Sequence, residues 1–288
     1  MTTTETKRAL ATAVTAARFA GKMMRDNLRE TKKINEATQH DIKLELDVRC
    51  QKRIERELRR VFPTIPILGE EGILGDPEAS VRWVVDPIDG TVNFSYGIPH
   101  ACVSIALQNR VSSFEFRVSG SRKRPAKLET RNAKPEASEF HSIVGVVYDP
   151  FTDEMWTAIR GQSARLNGKV IHVSQRKKLN EAIVALGFAK QSTTMNRMLP
   201  TLNGLIHRVR KIRIMGAAAL SLVYVATGRM DAYIEYGLRL WDIAAGGLIV
   251  ECAGGKFWRQ AVEGRYTYEI LASNRCLAGV LEQSGRWS

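Results

Sequence analysis

One stretch constrains this chain more than any other: Arg82-Trp83-Val84-Val85-Asp86-Pro87-Ile88-Asp89-Gly90-Thr91-Val92-Asn93-Phe94. Trp83, Val84 and Val85 are bulky and β-branched or aromatic, so they predict a buried strand. Asp-Pro and Asp-Gly are both turn dipeptides. Pro87 holds Asp86 in an extended form, which predicts that the strand ends at Asp86. Gly90 permits close backbone approach, and a helix is expected to begin near Thr91. The turn therefore offers two carboxylates, the Ile88 carbonyl, the Thr91 hydroxyl and helix-start amides. Oxygen donors of this kind suit hard divalent cations, and helix N-termini suit phosphate. A plain turn would use the same residues. Two other acidic groups, Gly69-Glu70-Glu71-Gly72 and Trp241-Asp242, favour the metal reading.

At 288 residues and 44% hydrophobic, the chain can bury a full α/β core. No apolar run reaches the ~18 residues of a membrane span. Residues 7–8 lead into an Ala-rich amphipathic pattern rather than a secretory leader, so a cytoplasmic location is expected. Cys50, Cys102, Cys252 and Cys276 form no CxxC pair and read as buried thiols, not a zinc site. A net charge of +13 is compatible with a solvated basic surface or with a nucleic-acid or acidic-protein partner.

Apolar spacing predicts a helix over residues 4–30, a loop over 31–40, a strand over 41–47 and a helix from about 50 to 61 with Asp47 at its N-cap. A short apolar run, 65–68, delivers Glu70 and Glu71. Adjacent side chains diverge on extended chain, so at most one of the two should be a direct ligand. Residues 72–80 read as a turn-rich loop, and 101–107 as a buried strand. Residues 109–140 are basic and break the pattern, with a possible hairpin where Phe114, Phe116 and Val118 alternate. Short antiparallel strands are expected over 143–148, 154–159 and 170–173, a strand over 182–186 and a helix over 192–210. The basic run His207–Arg213 reads as a helix C-terminus or a binding patch. Small-residue helices over 216–228 and 241–253 flank a strand at 231–236, with Asp242 in a first helical turn.

Three separated motifs together resemble the inositol monophosphatase family of Mg²⁺-dependent, lithium-sensitive phosphatases. They are Gly69-Glu70-Glu71, the central stretch from Trp83 to Phe94, and Trp241-Asp242-Ile243-Ala244-Ala245-Gly246. The resemblance implies a mixed α/β (α+β) fold, a layered αβαβα sandwich. It implies one catalytic domain over 1–288, with an N-terminal half (1–142, carrying the insertion 109–140) and a C-terminal half (143–288). It implies two to three Mg²⁺ ions held by Glu70, Asp86, the Ile88 carbonyl, Asp89 and Asp242. Thr91 with Asp47 would activate water, with Glu70 counted among the catalytic groups. Substrate would meet Asp89, Gly90, Thr91, Ala218, Glu235 and Asp242. Hydrolysis of inositol 1-phosphate by direct water attack is the leading expectation. Fructose 1,6-bisphosphate, histidinol phosphate and 3′-phosphoadenosine 5′-phosphate are alternatives. A homodimer and, in another functional class, binding to RNA or transcription machinery are further expectations. Leu44, Leu46 and Ala217 depart from hydroxyl residues common in the family, and Lys32 and Lys33 stand where no clear match to a family lysine is found.

Overall fold

The computed structural model describes residues 1–32, 34–37, 42–111, 139–188 and 192–284. Helix α1 (Thr3–Asn27) begins at a Thr2 cap whose side chain accepts the Glu5 N–H. A two-stranded ribbon follows, β1 (Ile34–Ala37) with β2 (Ile42–Leu44), and then α2 (Glu45–Val61). Two expectations are corrected here. The 31–40 loop contains β1, whose four residues give too short a run to show alternation. The 41–47 strand stops at Leu44, because Asp47 is not the N-cap. Asp47 lies three residues inside the helix and accepts the Leu44 N–H at 2.8 Å.

The larger sheet has eight strands in the order β10-β9-β8-β7-β6-β5-β3-β4. Its members are β3 (Ile67–Gly69), β4 (Gly72–Leu74), β5 (Val81–Asp89), β6 (Cys102–Val111), β7 (Glu139–Asp149), β8 (Glu154–Ile159), β9 (Arg165–Leu166) and β10 (Lys169–Val170). The 72–80 loop thus includes an edge strand, and the expected 170–173 strand is only the end of a two-residue one. A five-stranded sheet runs β12-β11-β13-β15-β14, built from β11 (Ile183–Leu186), β12 (Lys211–Arg213), β13 (Ala232–Arg239), β14 (Lys256–Ala261) and β15 (Thr267–Ser273). Helix α4 (Ser192–Ile206) ends before the basic run. The run is an exposed turn and the edge strand β12, so the expected helical C-terminus at 207–213 is not there. The proposed hairpin at Phe114–Val118 lies outside the described residues.

Alternation along the strands makes the layers. Trp83 and Val85 face α1 and α2, as do Val103, Ile105 and Val146. Val84, Ala106 and Val147 face the opposite way, into a second core with α5 (Ala218–Ala226) and α6 (Leu240–Cys252). Tyr233, Ile270 and Ala272 of the smaller sheet close that core from the far side. Ala232, Ile234 and Leu271 point away to a third core with α4 and α7 (Arg275–Ser284). The result is five layers, αβαβα. The middle helices lie between two sheets, which explains why they are apolar on all faces rather than amphipathic. Close packing there needs glycine. A Cβ at Gly145 in β7 would stand 2.9 Å from the Ala245 carbonyl of α6.

Candidate active site

The strand β5 does not end at Asp86, as Pro87 suggested, but continues to Asp89. In an unbroken strand Asp86 and Asp89, three apart, would face opposite sides of the sheet. They do not sit in an unbroken strand. Asp86 pairs with Ser104 and Asp89 with Cys102, so three steps on β5 match two on β6. That one-residue bulge resets the phase and turns both carboxylates to one cavity. Ile88 N–H donates to Asp86 Oδ1 at 3.0 Å within the bulge. Gly90 follows with φ 90° as N-cap of the short helix α3 (Thr91–Ser95). A Cβ at Gly90 would meet the His100 carbonyl at 2.9 Å.

The cavity encloses about 340 Å³ and is lined by Glu70, Asp86, Ile88, Asp89, Gly90, Thr91, Ala218, Glu235 and Asp242 among others. Glu70 reaches it from the end of β3, where its N–H donates to the Val85 carbonyl at 3.1 Å. Glu71 does not line it, and its N–H is instead taken by Gln51 Oε1 at 2.9 Å. Asp242 arrives in the first turn of α6, which Ser104 ties to β6 by donating to the Trp241 carbonyl at 3.1 Å. Asp47 does not line the cavity. It is buried at the start of α2, directly after β2, the strand against which α3 packs. Thr91 Oγ1 donates to the Ile88 carbonyl at 2.9 Å.

Electrostatics within the cavity are those of crowded, buried anions. Burial, and then the charges of Glu70, Asp89 and Asp242, push the Asp86 carboxyl well above the usual carboxylate range. Asp242 is raised in the same way, by burial first and by Glu70 and Asp89 next. Asp89 is raised to about 6 by burial, although amides at the start of α5 pull the other way. Ala218 N–H reaches Asp89 Oδ1 at 3.0 Å and Ala219 N–H reaches Oδ2 at 2.7 Å. Cys102 adds a thiol contact to Asp89 at 3.5 Å. Glu235 is raised to about 7 by burial, against a hydrogen bond donated by the Tyr233 hydroxyl.

Among the described residues no three His, Cys, Asp or Glu side chains form a ready-made metal cage. Both Asp89 oxygens accept amides of α5, one Asp242 oxygen accepts the Arg239 N–H at 2.8 Å, and the Ile88 carbonyl receives Thr91. The donor chemistry nonetheless fits divalent cations. Every candidate ligand is a hard oxygen, and like-charged carboxylates packed out of water are stabilised by a cation between them.

Several lining residues carry no sequence motif: Gly187, Phe188, Ile214 and Leu238. One topological signal could have found three of them. Strands β12, β11 and β13 run parallel, and ligands gather beyond the carboxyl ends of parallel strands. Ile214 follows β12 and Gly187-Phe188 follow β11, beside Glu235 on β13. Asn93 lies inside the central motif, and its role is architectural. Its Nδ2 donates to the carbonyls of His100 at 3.0 Å and Met215 at 2.9 Å, joining the two loops around the cavity.

The layered αβαβα fold gathers buried carboxylates at strand ends and helix starts, and the family it matches makes the chain a phosphomonoester hydrolase. The inositol monophosphatase family pattern matches residues 5–112 and 138–284, and the chain belongs to that family. It is 36% identical to inositol monophosphatase 1 of Solanum lycopersicum over 254 residues, covering 85% of this chain and 82% of the relative. It is 34% identical over 281 residues to Nus factor SuhB of Xylella fastidiosa, covering 94% and 91%. Among solved structures, the extragenic suppressor protein suhB of Bartonella henselae superposes with a TM-score of 0.79 at 30% identity, covering 96% of this chain and 98% of that one. Inositol monophosphatase from Anabaena gives 0.76 at 29% identity, covering 96% and 95%.

Proposed function

We propose that the chain hydrolyses small polyol phosphates in a Mg²⁺-dependent reaction, with inositol 1-phosphate as the leading substrate. The observation that carries this is the convergence of Glu70, Asp86, Asp89 and Asp242, drawn from three separate segments, on one cavity. Glu70, Asp86 and the Ile88 carbonyl would hold one ion. Asp86, Asp89 and Asp242 would hold a second, and a third would rest on Glu70. Bound Mg²⁺ supplies neutralisation of the phosphate dianion, a lowered pKa for water and support for the departing alkoxide. The chain's own groups do the rest. Thr91 and Glu70 orient and deprotonate the attacking water, and Asp47, which does not line the cavity, would act on that water only through Thr91. Gly90 and Thr91 amides receive phosphate oxygens, and Glu235 and Ala218 meet the substrate's alcohol portion. Residues 1–288 act as one catalytic unit and pair as a homodimer in the cytoplasm. No described helix is long and apolar enough to cross a membrane.

The test is phosphate release from inositol 1-phosphate, glycerol 2-phosphate, fructose 1,6-bisphosphate, histidinol phosphate and 3′-phosphoadenosine 5′-phosphate, with Mg²⁺ or with EDTA. Inositol 1-phosphate should be turned over fastest, EDTA should abolish release, and Asp89→Asn should cost at least about tenfold, ~1.4 kcal/mol in barrier. Release undiminished by EDTA would reject the metal assignment.

A second reading, compatible with catalysis, is a partner in the transcription machinery. Relatives named Nus factor SuhB favour it, as do exposed Arg208, Arg210, Lys211 and Arg213 at the edge of the smaller sheet. Retention on RNA that falls steeply with salt would support it. No retention at about 50 mM salt would remove it.

A further inference from the structure

The cavity is chemically two-sided. The larger sheet, through β3 and the bulged β5, supplies Glu70, Asp86, Asp89 and the Gly90-Thr91 turn, and α6 supplies Asp242. Of the described lining residues contributed by β11, β12, β13, α5 and their loops, Glu235 is the one with a polar side chain. The others include Phe188, Ile214, Leu238, Ala217 and Gly187. Backbone on this side offers little more, since Ala218 N–H is already given to Asp89 at 3.0 Å. Asn93 likewise spends its amide N–H groups on main-chain carbonyls.

The polar point is firmly mounted, as are Phe188 and Leu238 of the apolar wall, while Ile214 at its rim is 61% exposed. Glu235 is buried and receives the Tyr233 hydroxyl. It lies so close over Gly187 that a Cβ there would overlap its carboxylate at 1.5 Å. Phe188, the next residue, is half-buried and packs against the third core with Leu186 and Ile234. Leu238 is 7% exposed. An alcohol seated here meets one carboxylate and a fixed aromatic and aliphatic surface. A hydroxyl turned to such a surface loses water without gaining a partner, whereas an aromatic ring gains contact area.

We infer that Phe188, with Ile214 and Leu238, is a specificity-determining wall that admits phosphate monoesters whose alcohol joins one hydroxyl-bearing edge to an aromatic or other apolar face. The hydroxyl edge is read by Glu235 and the apolar face by Phe188. Inositol 1-phosphate fits by laying a C–H face of its ring on the same wall, so the inference rests on the phosphatase reading and widens its substrate class.

The probe is 2-hydroxy-2-phenylethyl phosphate, compared with inositol 1-phosphate and with glycerol 2-phosphate as reference, all with Mg²⁺. Wild-type protein should show kcat/KM for the phenyl ester at least equal to that for inositol 1-phosphate. Phe188→Ser should lower the phenyl-ester to glycerol 2-phosphate ratio by about tenfold or more, with the loss falling on KM, while Phe188→Tyr, which keeps the ring, should largely retain the ratio. Should thermal melting show Phe188→Ser unfolded, Phe188→Leu replaces it and must lower the same ratio. A phenyl ester about tenfold poorer than inositol 1-phosphate, or a ratio unmoved by the loss of the ring, overturns the inference while leaving the phosphatase intact. Absence of release from all three esters overturns the phosphatase reading and this inference with it.

Discussion

Burial of Glu235 sets the charge that a substrate hydroxyl meets. With its carboxyl raised to about 7, the group is an acceptor-only carboxylate above that pH and a protonated acid below it. We expect kcat/KM for a polyol phosphate to fall as pH drops from 8 to 6, and the corresponding inflection to vanish in Glu235→Gln. A profile unchanged by that substitution would mean another group titrates there. Residue by residue, the site was unevenly legible. Glu70, Asp86, Asp89 and Asp242 could be picked out because each sits in a motif whose turn chemistry is visible locally. Phe188 could not, because a phenylalanine after a strand reads as core. Only the parallel arrangement of β11 with β12 and β13 brings it to a cavity wall. Asp47 was visible as a helix-start residue, yet its capping of Leu44 from inside the helix depends on where β2 stops.

Packing of α6 on the larger sheet carries Asp242 to its place. Gly145 faces the Ala245 backbone, which cannot swing aside as a flexible side chain could. Gly145→Ala should therefore destabilise the fold by about 1–3 kcal/mol, measured by urea unfolding, and lower activity by displacing the helix that bears Asp242. Unaltered stability would show that α6 can shift freely. At this scale the long elements were readable and the short ones were not. Helix α1 runs 25 residues and repeats its apolar stripe several times over. Strands β1, β4 and β12 have three or four residues each, so no period can establish itself, and their pairing supplies what their composition lacks. The β5 bulge hid for a different reason. Pro87 argues locally for a strand end, whereas the ladder to β6 resumes at Asp89. A tertiary partner overrode a backbone preference.

The whole molecule pays for its acidic centre in a way that pH reveals. Asp86, Asp89, Asp242 and Glu235 all hold protons to higher pH when folded than carboxylates near pH ~4 do in an unfolded chain. Between that value and about 7 the folded state therefore binds more protons, and its stability falls as pH rises through the window. In EDTA the melting temperature should drop from pH 5 to pH 7.5. Mg²⁺ should restore it at the upper end, and Asp86→Asn should flatten the slope. A melting temperature that rises over that range in EDTA would contradict the buried-acid account. A second molecular-scale expectation concerns residues 112–138. Replacing 113–137 by a two-residue turn should leave the melting temperature and the turnover of inositol 1-phosphate essentially unaltered, because Val111 and Glu139 are already paired neighbours. A loss of activity of about tenfold would tie the segment to catalysis. Strand β6 starts at Cys102, beside Asp89, and leaves at Val111, about 30 Å away at strand rise. The match to the family stops at 112 and resumes at 138. A ladder that closes on both sides of an insertion is a safe place for a lineage to experiment: sequence can be gained, rewritten or discarded there, and the inherited chemistry at the other end of the strand need never be renegotiated.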